Sequence, residues 1–457
     1  MKRTALSLLA TASLSACMNL APAHQRPALP VAESVGQAAE AAVQLPNWQG
    51  FYADARLQAL IETALRHNRD LRVALANVEQ AAALARVSDA NRWPTVGLGA
   101  GMSRQPKAQG EGISSNYQVG LQLSAYELDL WGKLKNQSEA AQARYLASTE
   151  GARAAQLSLV AAVASAHYAL QTDEQLLALA RRTLDSRLES HRLVQLRFDQ
   201  GAASSLELQG AISALEATRA AVAQAERQRA QDEHALALLT GQALGPELPA
   251  ATPLLDQALA PLAAGLRSEA LLQRPDVRQA EAQLIAAEAN IGAARAAFFP
   301  SIFLSTSAGT ASSQLSDLFK HSAWSFSGQL LQPLFDAGRN RANLAASQAA
   351  RDAAVAQYDK AVQQAFREVA DALVARSTLT EQLRAQQAQA AAEAERLRLV
   401  ELRFANGASS QLELLDAQRA SFAAQQAALQ VRLASLQAGV GLYKALGGGL
   451  AQAQTQP

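Results

Sequence analysis

The residue types that perform catalysis do not occur in catalytic patterns in this sequence. The six histidines show no HExxH spacing, and there is no GxSxG nucleophile or glycine-rich phosphate loop. The glycines from Gly97 to Gly101 alternate with apolar residues and do not open a helix, as a dinucleotide site would require. Asp70 and Asp276 fall at predicted helix starts, where a carboxylate complements the helix dipole. We therefore expect a protein that is not an enzyme and has no metal or cofactor.

One residue has a predicted chemical role: Cys17, the only cysteine among 457 residues. Lys2 and Arg3 precede a short apolar run, as in a secretory signal, and the run ends at Leu14-Ser15-Ala16-Cys17. This ending resembles the lipobox of bacterial lipoproteins, in which cleavage leaves the cysteine to carry acyl chains. We expect a lipoprotein signal peptide at 1–16 and a covalent lipid on Cys17. An ordinary signal peptide with an incidental cysteine is the alternative.

Composition and charge narrow the class of protein further. The 41 Lys and Arg residues balance 40 Asp and Glu, so the strongly basic face of a nucleic-acid binder is not expected. Aromatic residues make up only 5%, and the abundant Ala, Leu, Gln, Glu and Arg are typical of long helices that pack through small residues. After the N-terminus, no apolar run is long enough for a transmembrane helix.

The chain contains an internal duplication. The segment Leu193–Gly201 recurs as Leu399–Gly407, at an offset of 206 residues. The same offset aligns about 190 residues without a gap, which indicates two copies of one structural unit. We predict an acylated, extended segment at 17–54, a first repeat at 55–245, a Pro-bearing linker at 246–260, a second repeat at 261–451 and a flexible tail at 452–457.

Each repeat is predicted to contain two β-strands, because apolar and small residues alternate with a period of two. The strands span about 95–103 and 117–129 in the first repeat, separated by a polar loop, and about 301–310 and 323–335 in the second. In the first strand the apolar positions are Val96, Leu98, Ala100 and Met102. A strand of about ten residues, tilted near 45°, covers about 23 Å, close to the apolar band of an outer-membrane barrel.

The remaining pattern is helical. Helical composition covers about Leu57 to Arg92, and runs for about 65 residues, on the order of 100 Å, before Gly201 and again before Gly407. Both glycines predict helix ends. The motifs Ser204-x-x-Glu207 and Ser410-x-x-Glu413 predict capping boxes that start the next helices. Each repeat should therefore form a helical hairpin, and the 3,4 spacing of its apolar residues predicts coiled-coil packing.

Four strands cannot close into a barrel, and open strand edges in lipid leave backbone groups without hydrogen bonds. Several chains must therefore combine their strands. Twelve strands from three chains would leave a lumen, so we prefer a trimer. The alternative, one face of a soluble sandwich, would need more strands than four.

Five segments together resemble the TolC-like outer membrane factors, especially the lipoprotein branch that serves resistance-nodulation-division pumps. The resemblance covers essentially the whole mature chain. It implies a mainly α-helical trimer whose strands form a 12-stranded β-barrel, continued by an α-helical periplasmic tunnel. The matching segments are Tyr126–Lys133, Arg274–Arg278, Ala297–Ser301, Pro333–Arg339 and Leu442–Gly447.

The resemblance implies an outer membrane exit duct that conducts drugs or other small molecules passively. Its partners would be two further chains, outer membrane lipid, a periplasmic adaptor and an inner-membrane transporter. In similar proteins, side chains on the last inner helix constrict the periplasmic end, and their motif matches Leu412, Asp416 and Arg419. Three Asp416 carboxylates would then form a ring. The first repeat has Gly210 and Ser213 at the positions of Asp416 and Arg419.

The hairpin tips are the expected docking site for the adaptor. The residues concerned are Arg197, Gly201, Ser204, Ser205, Arg403, Gly407, Ser409 and Ser410. Simpler interpretations exist for both groups of residues. Asp416 and Arg419 could form an ordinary exposed ion pair, and the small residues at the tips could reflect turn chemistry alone.

Two other functions remain open at this point. The same architecture could serve protein or peptide export in a type I secretion system. A periplasmic adaptor is also a lipoprotein with a coiled-coil hairpin, but it would have a single hairpin and no amphipathic barrel strands.

Overall fold

The computed structural model describes residues 19–36, 45–106, 112–245, 248–250, 252–262 and 265–449. Cys17, the signal segment 1–16 and the tail 452–457 lie outside these residues. The described chain is mainly helical. Its helices are α1 (Trp48–Phe51), α2 (Ala55–His67), α3 (Arg69–Ala90), α4 (Lys133–Asp199), α5 (Ser205–Thr240), α6 (Pro275–Ala296), α7 (Arg339–Ala405) and α8 (Gln411–Ala445). Its strands are β1 (Ser34–Gly36), β2 (Val96–Pro106), β3 (Ile113–Leu128), β4 (Gly265–Arg267), β5 (Ser301–Ser312) and β6 (Ser322–Leu331).

The chain divides into two compact units, and both repeats contribute to each. One unit contains Ala76–Glu150 and Arg278–Ala361 together with the N-terminal residues up to Ala28. The other contains Leu29–Leu75, Gly151–Val277 and the residues from Val362 onward. Among the described helices, none has the length and apolar content needed to cross a membrane.

The first unit contains an antiparallel four-stranded sheet in the order β2-β3-β5-β6. Its register places apolar residues of neighbouring strands opposite one another, so that they share one face. One such row consists of Leu98, Leu121, Ala308 and Trp324. Leu98 is 77% exposed and Trp324 is 80% exposed. The sheet therefore presents a continuous apolar face that the single chain does not cover.

A β-bulge preserves this face where β3 passes β5. The register shifts between Leu123 and Tyr126, so that β3 contains one extra residue at this point. Ala125 has a φ of 50°, and its backbone N–H donates to the Ser305 hydroxyl oxygen at 2.9 Å. Without the extra residue, Tyr126 and Leu128 would point to the polar face, because side chains alternate along a strand.

Three predicted strand boundaries are wrong. The polar loop expected at 104–116 is much shorter, because Pro106 pairs with Ile113 and the flanking polar residues continue the ladder. Backbone pairing does not require apolar side chains, so period-two hydrophobicity underestimates strand length. Conversely, β6 ends at Leu331 rather than near 335, since Pro333 has no N–H for a ladder.

The helical stretch predicted from Leu57 to Arg92 is interrupted at Asn68, which separates α2 from α3. The Asn68 side-chain oxygen accepts from the Leu71 N–H at 2.8 Å, and its amide donates to the Leu239 carbonyl at 2.9 Å. A side chain that bonds nearby backbone in this way competes with the helical ladder. The helix starts predicted for Asp70 and Asp276 are confirmed, since both lie in the first turn of a helix.

A row of small residues crosses the opposite, polar face of the sheet. Gly99 lies opposite Gly120, Gly120 opposite Gly309, and Gly309 opposite Ala323. A Cβ added to Gly120 would lie 2.5 Å from the Ala308 carbonyl oxygen. At Gly309, an added Cβ would overlap the Val119 carbonyl oxygen. The close approach of β3 and β5 therefore requires glycine on both strands.

We expect Gly120→Ala and Gly309→Ala each to destabilise the sheet by about 1–3 kcal/mol, because the new methyl group meets backbone that cannot move independently. The measurement is the temperature at which the detergent-solubilised oligomer dissociates on a gel. Gly97→Ala is the matched control, since no atom lies within 4 Å of its added Cβ. Equal dissociation temperatures for all three variants would contradict the close-approach argument.

The second unit has a core of aromatic side chains, and part of the Pro-bearing segment predicted as a linker packs into it. Phe51 stacks on Tyr443 with ring centroids 4.2 Å apart, and Tyr52 meets both rings edge-on. Leu254 and Gln257, from the predicted linker at 246–260, are 2% and 5% exposed. Part of this segment is therefore packed into the core.

A buried polar network connects this segment to two helices. Asp54 is 2% exposed, accepts from the Arg56 N–H at the start of α2, and lies 2.9 Å from His167 Nε2 on α4. Gln257 donates to the same Asp54 carboxylate at 2.9 Å. Burial alone would raise the pKa of Asp54, but the hydrogen bonds from His167 and Gln257 outweigh it and hold the pKa below its usual value.

Replacing Asp54 with Asn is expected to cost about 3 kcal/mol of stability at pH 7, because it leaves His167 buried without its acidic partner. Since the pKa of Asp54 is lowered by folding, its contribution is present above the ordinary Asp pKa and is lost as the pH falls through the folded value. Chemical denaturation of both proteins from pH 7 to pH 3 should show that the difference in free energy of unfolding between the wild type and Asp54→Asn becomes smaller as the pH falls. The control is Asp371→Asn, an exposed carboxylate in the middle of α7. A difference that does not depend on pH would contradict this assignment.

Candidate functional site

The candidate site lies at the ends of two helical hairpins in the second unit. Helix α4 and helix α7 each have 67 residues, about 100 Å. After a short turn, α4 is followed by α5, and α7 by α8. Each hairpin has an apolar seam near its tip: Val194 with Leu208 in the first, and Val400 with Leu414 in the second.

The two turns have the same backbone geometry. Gly201 and Gly407 have φ values of 68° and 73°, the left-handed conformation that glycine adopts without strain. In the first turn the Ala202 N–H donates to the Arg197 carbonyl at 2.7 Å, and in the second the Ala408 N–H donates to the Arg403 carbonyl at 2.8 Å. These bonds close the last turn of each helix, so the glycines end the helices as predicted.

The two helix starts differ. In the first hairpin the Glu207 N–H donates to the Ser204 hydroxyl at 3.2 Å, and the Ser204 N–H donates to the Glu207 carboxylate at 2.7 Å. This is the complete capping box that the sequence predicts. In the second hairpin Ser410 caps the Glu413 N–H, but the Glu413 side chain does not return to the Ser410 backbone.

Glu413 has other partners, so the predicted second capping box is wrong in its return half. The Ser409 hydroxyl donates to Glu413 Oε2 at 2.5 Å, and Arg403 Nη1 donates to Glu413 Oε1 at 3.3 Å. These two donors occupy both carboxylate oxygens of Glu413, so neither oxygen returns to the Ser410 N–H. Ser409 and Arg403 are thus held within the second tip.

The two predicted docking arginines fold back onto their own turns. Arg197 Nη2 donates to the Ala202 carbonyl at 3.4 Å, and Arg403 Nη2 donates to the Ala408 carbonyl at 3.1 Å. The most exposed large apolar side chains at the tips are two leucines at equivalent positions in the two repeats. Leu206 is 83% exposed and Leu412 is 77% exposed. From the sequence, Leu412 is predicted to be part of the constriction, and no role is predicted for Leu206.

The structure brings Asp416 and Arg419 together and adds a residue that sequence reasoning missed. Arg419 Nη2 donates to Asp416 Oδ1 at 2.8 Å, and Arg396 Nη2, from α7, donates to Asp416 Oδ2 at 2.8 Å. These two hydrogen bonds hold the pKa of Asp416 below its usual value, with Arg396 the larger cause.

The sequence spacing could have predicted that Arg396 lies opposite Asp416. Arg396 and Asp416 are each ten residues from Asn406, which lies in the turn between α7 and α8. Residues at equal distances from the turn of an antiparallel hairpin lie at the same height, so the two side chains face each other. Arg396 also donates to Glu393 at 3.1 Å. The cluster therefore contains two arginines and two carboxylates, with no net charge.

We expect Ser204→Ala to weaken the start of α5 by about 1 kcal/mol, because the Glu207 N–H loses its acceptor. Amide hydrogen exchange of Glu207 and Leu208 should become several-fold faster, as measured by mass spectrometry of peptic fragments. Ser205→Ala is the control, since Ser205 is the first helical residue and does not provide the cap. If both variants exchange alike, the capping bond does not hold the tip.

Comparisons with known proteins agree with this architecture. The family described as outer membrane efflux protein matches residues 60–242 and again residues 266–448, two segments at the offset of the internal duplication. The chain is 42% identical over 465 residues to TtgC of Pseudomonas putida, named a probable efflux pump outer membrane protein, covering 98% of this chain and 96% of that protein. It is 43% identical over 460 residues to the outer membrane protein OprJ of Pseudomonas aeruginosa, covering 97% and 95%.

The fold also matches a solved structure. The open state of the MtrE outer membrane channel of Neisseria gonorrhoeae superposes with a TM-score of 0.87 at 39% identity, covering 96% of this chain and 100% of that one. The family match covers most of the chain, and the relatives are aligned over nearly their whole length. The chain belongs to the outer membrane efflux protein family.

Proposed function

We propose that the chain is the outer membrane exit duct of a tripartite efflux pump, through which drugs or other small molecules pass passively to the exterior. The observation that carries this proposal is the continuous apolar face of the four-stranded sheet, where the register aligns Leu98, Leu121, Ala308 and Trp324. Such a face belongs against lipid, and the opposite face, with its glycines and hydroxyl groups, belongs against water.

The assembly would be a trimer, because β2 and β6 leave the two edges of the sheet without a neighbour. Three chains would give a 12-stranded barrel, and the long hairpins would line a periplasmic tunnel. The relatives named as efflux pump outer membrane proteins support efflux rather than protein export or an adaptor role. An inner-membrane transporter and a periplasmic adaptor are the partners this function requires.

Lipidation of Cys17 would add a second membrane attachment. Two of the described residues after Cys17 are hydrogen-bonded to α6: Arg295 donates to the Leu20 carbonyl at 3.0 Å, and Arg26 donates to Glu281 at 2.6 Å. A short segment held in this way would keep the acyl chains close to α6. The adaptor would contact the hairpin tips, around the turns at Gly201 and Gly407 and the exposed side chain of Leu206.

The proposed constriction is formed by Leu412, Asp416 and Arg419, with Arg396 as the residue that positions Asp416. We expect the acylated wild-type protein to be a trimer with small single-channel conductance in planar bilayers. Conductance should rise several-fold in Asp416→Ala, Arg419→Ala and Arg396→Ala, because each removes part of the charge network that fixes these side chains.

Arg398→Ala is the matched control, since Arg398 forms an exposed ion pair with Glu395 on the same helix as Arg396. Its conductance should equal that of the wild type. Native mass spectrometry of the same preparations reports the oligomeric state. A monomer without conductance would overturn the exit-duct proposal, and an unchanged conductance in all three gate variants would overturn the assignment of the gate.

A further inference from the structure

A cavity of about 580 Å³ lies between α4, α5 and α8 in the second unit, away from the tips and the gate residues. Its size is in the range of small-molecule sites. The lining combines apolar side chains with carboxylates and amides, and it contains no lysine, arginine or histidine. The residues that matter most are Asp173 and Leu176 of α4, Gln228 and Asp232 of α5, and Phe422 of α8.

Two carboxylates face each other in this cavity. Asp173 and Asp232 lie at similar distances before and after Gly201, so the first hairpin brings them together, close enough for the Asp232 carboxylate to raise the pKa of Asp173. Asp173 is 8% exposed, and its Oδ2 has no hydrogen-bond partner. Gln228 donates to Asp232 Oδ1 at 3.2 Å. The pair is therefore only partly satisfied by the protein.

Among the described residues, neither Asp173 nor Asp232 forms an ion pair with an arginine, lysine or histidine. The arginines closest along the two helices already have acidic partners: Arg229, one turn before Asp232 on α5, pairs with Glu233 at 3.4 Å, and Arg181, about two turns after Asp173 on α4, pairs with Glu226 at 2.8 Å. Burial, together with the neighbouring Asp232, raises the pKa of Asp173 to about 7. At neutral pH the negative charge must be balanced by a proton or by a cation from outside the chain.

The hairpin fold does not require these carboxylates. The positions of Asp173 and Asp232 in the second repeat are occupied by Leu379 and Ala438. Both hairpins have the same length and the same turn, so an apolar pair would serve packing equally well. Two adjacent carboxylates, Asp173 buried and Asp232 half-buried, lower stability by their repulsion, and a site that binds a ligand is a physical reason to retain them.

We propose that this cavity binds a small organic cation, with an ammonium group between Asp173 and Asp232 and an apolar body against Phe422 and Leu176. The aromatic ring and the carboxylates attract the cation, and the leucine and alanine side chains exclude water from its apolar part. The Gln228 side chain fixes the orientation of one carboxylate. The site is distinct from the gate and the docking tips.

The test is isothermal titration calorimetry of the full-length, detergent-solubilised protein with benzyltrimethylammonium at pH 8. We expect saturable binding that weakens at least tenfold in the Asp173→Asn/Asp232→Asn double variant. Neutral benzyl alcohol should bind at least tenfold more weakly than the cation. Because the pKa of Asp173 is about 7, lowering the pH to 5.5 adds a proton to the pair and should also weaken binding.

Asp185→Asn is the matched control, an exposed carboxylate on the same helix. It should leave the affinity unchanged. Thermal unfolding monitored by circular dichroism establishes that the double variant is folded, and its wild-type conductance would show that the channel is intact. Equal affinity for benzyl alcohol, unchanged affinity in the double variant, or displacement of the organic cation by millimolar magnesium would overturn the proposal.

Discussion

The architecture depends on the requirement that a strand edge in lipid must find hydrogen-bond partners. In the four-stranded sheet, β2 and β6 each lack a neighbouring strand on one side among the described residues. Water cannot compensate these groups inside the hydrocarbon layer, so a sheet with this apolar face is stable there only when chains pair edge to edge. The bulge at Ala125 and the glycine row serve the same requirement. The bulge keeps apolar side chains on one face, and the glycines let β3 and β5, from different repeats, approach closely.

The second organising feature is the geometry of the hairpins. Two antiparallel helices bring together residues at similar distances from their turn, and this relation accounts for pairs of very different chemistry. It places Val400 against Leu414 in an apolar seam, Arg396 against Asp416 in an ion pair, and Asp173 beside Asp232 in a cavity. The same hairpin geometry therefore accommodates apolar contacts, ion pairs and pairs of like charge. Since the seam supplies the stability, individual positions along the hairpin are free to carry other functions.

Much of this architecture could be predicted from the sequence, because it follows from local patterns. Alternating residues predict the strands of the sheet, and the glycines and serines at the tips predict the turns. What could not be predicted depends on tertiary contacts. The three-residue strands β1 and β4 have no pattern long enough to detect, and the burial of Gln257 depends on Asp54, 203 residues away in sequence. At the second tip, the Glu413 carboxylate could accept either from the Ser410 backbone or from the Ser409 and Arg403 side chains. Only the three-dimensional positions of these two side chains decide which bonds form.

The charged residues near the second tip form one network, which the first repeat lacks as a whole. In the first repeat, Ser190, Gly210 and Ser213 occupy the positions of Arg396, Asp416 and Arg419, so all three charges are missing together. A lone Asp416 ring would oppose closure by repulsion between carboxylates. With Arg396 and Arg419 each 2.8 Å from Asp416, and Glu393 bound to Arg396, each chain instead contributes a neutral cluster. Three neutral clusters can approach without that repulsion. In the proposed constriction, opening would then require the ion pairs to rearrange and would not depend on relieving electrostatic strain.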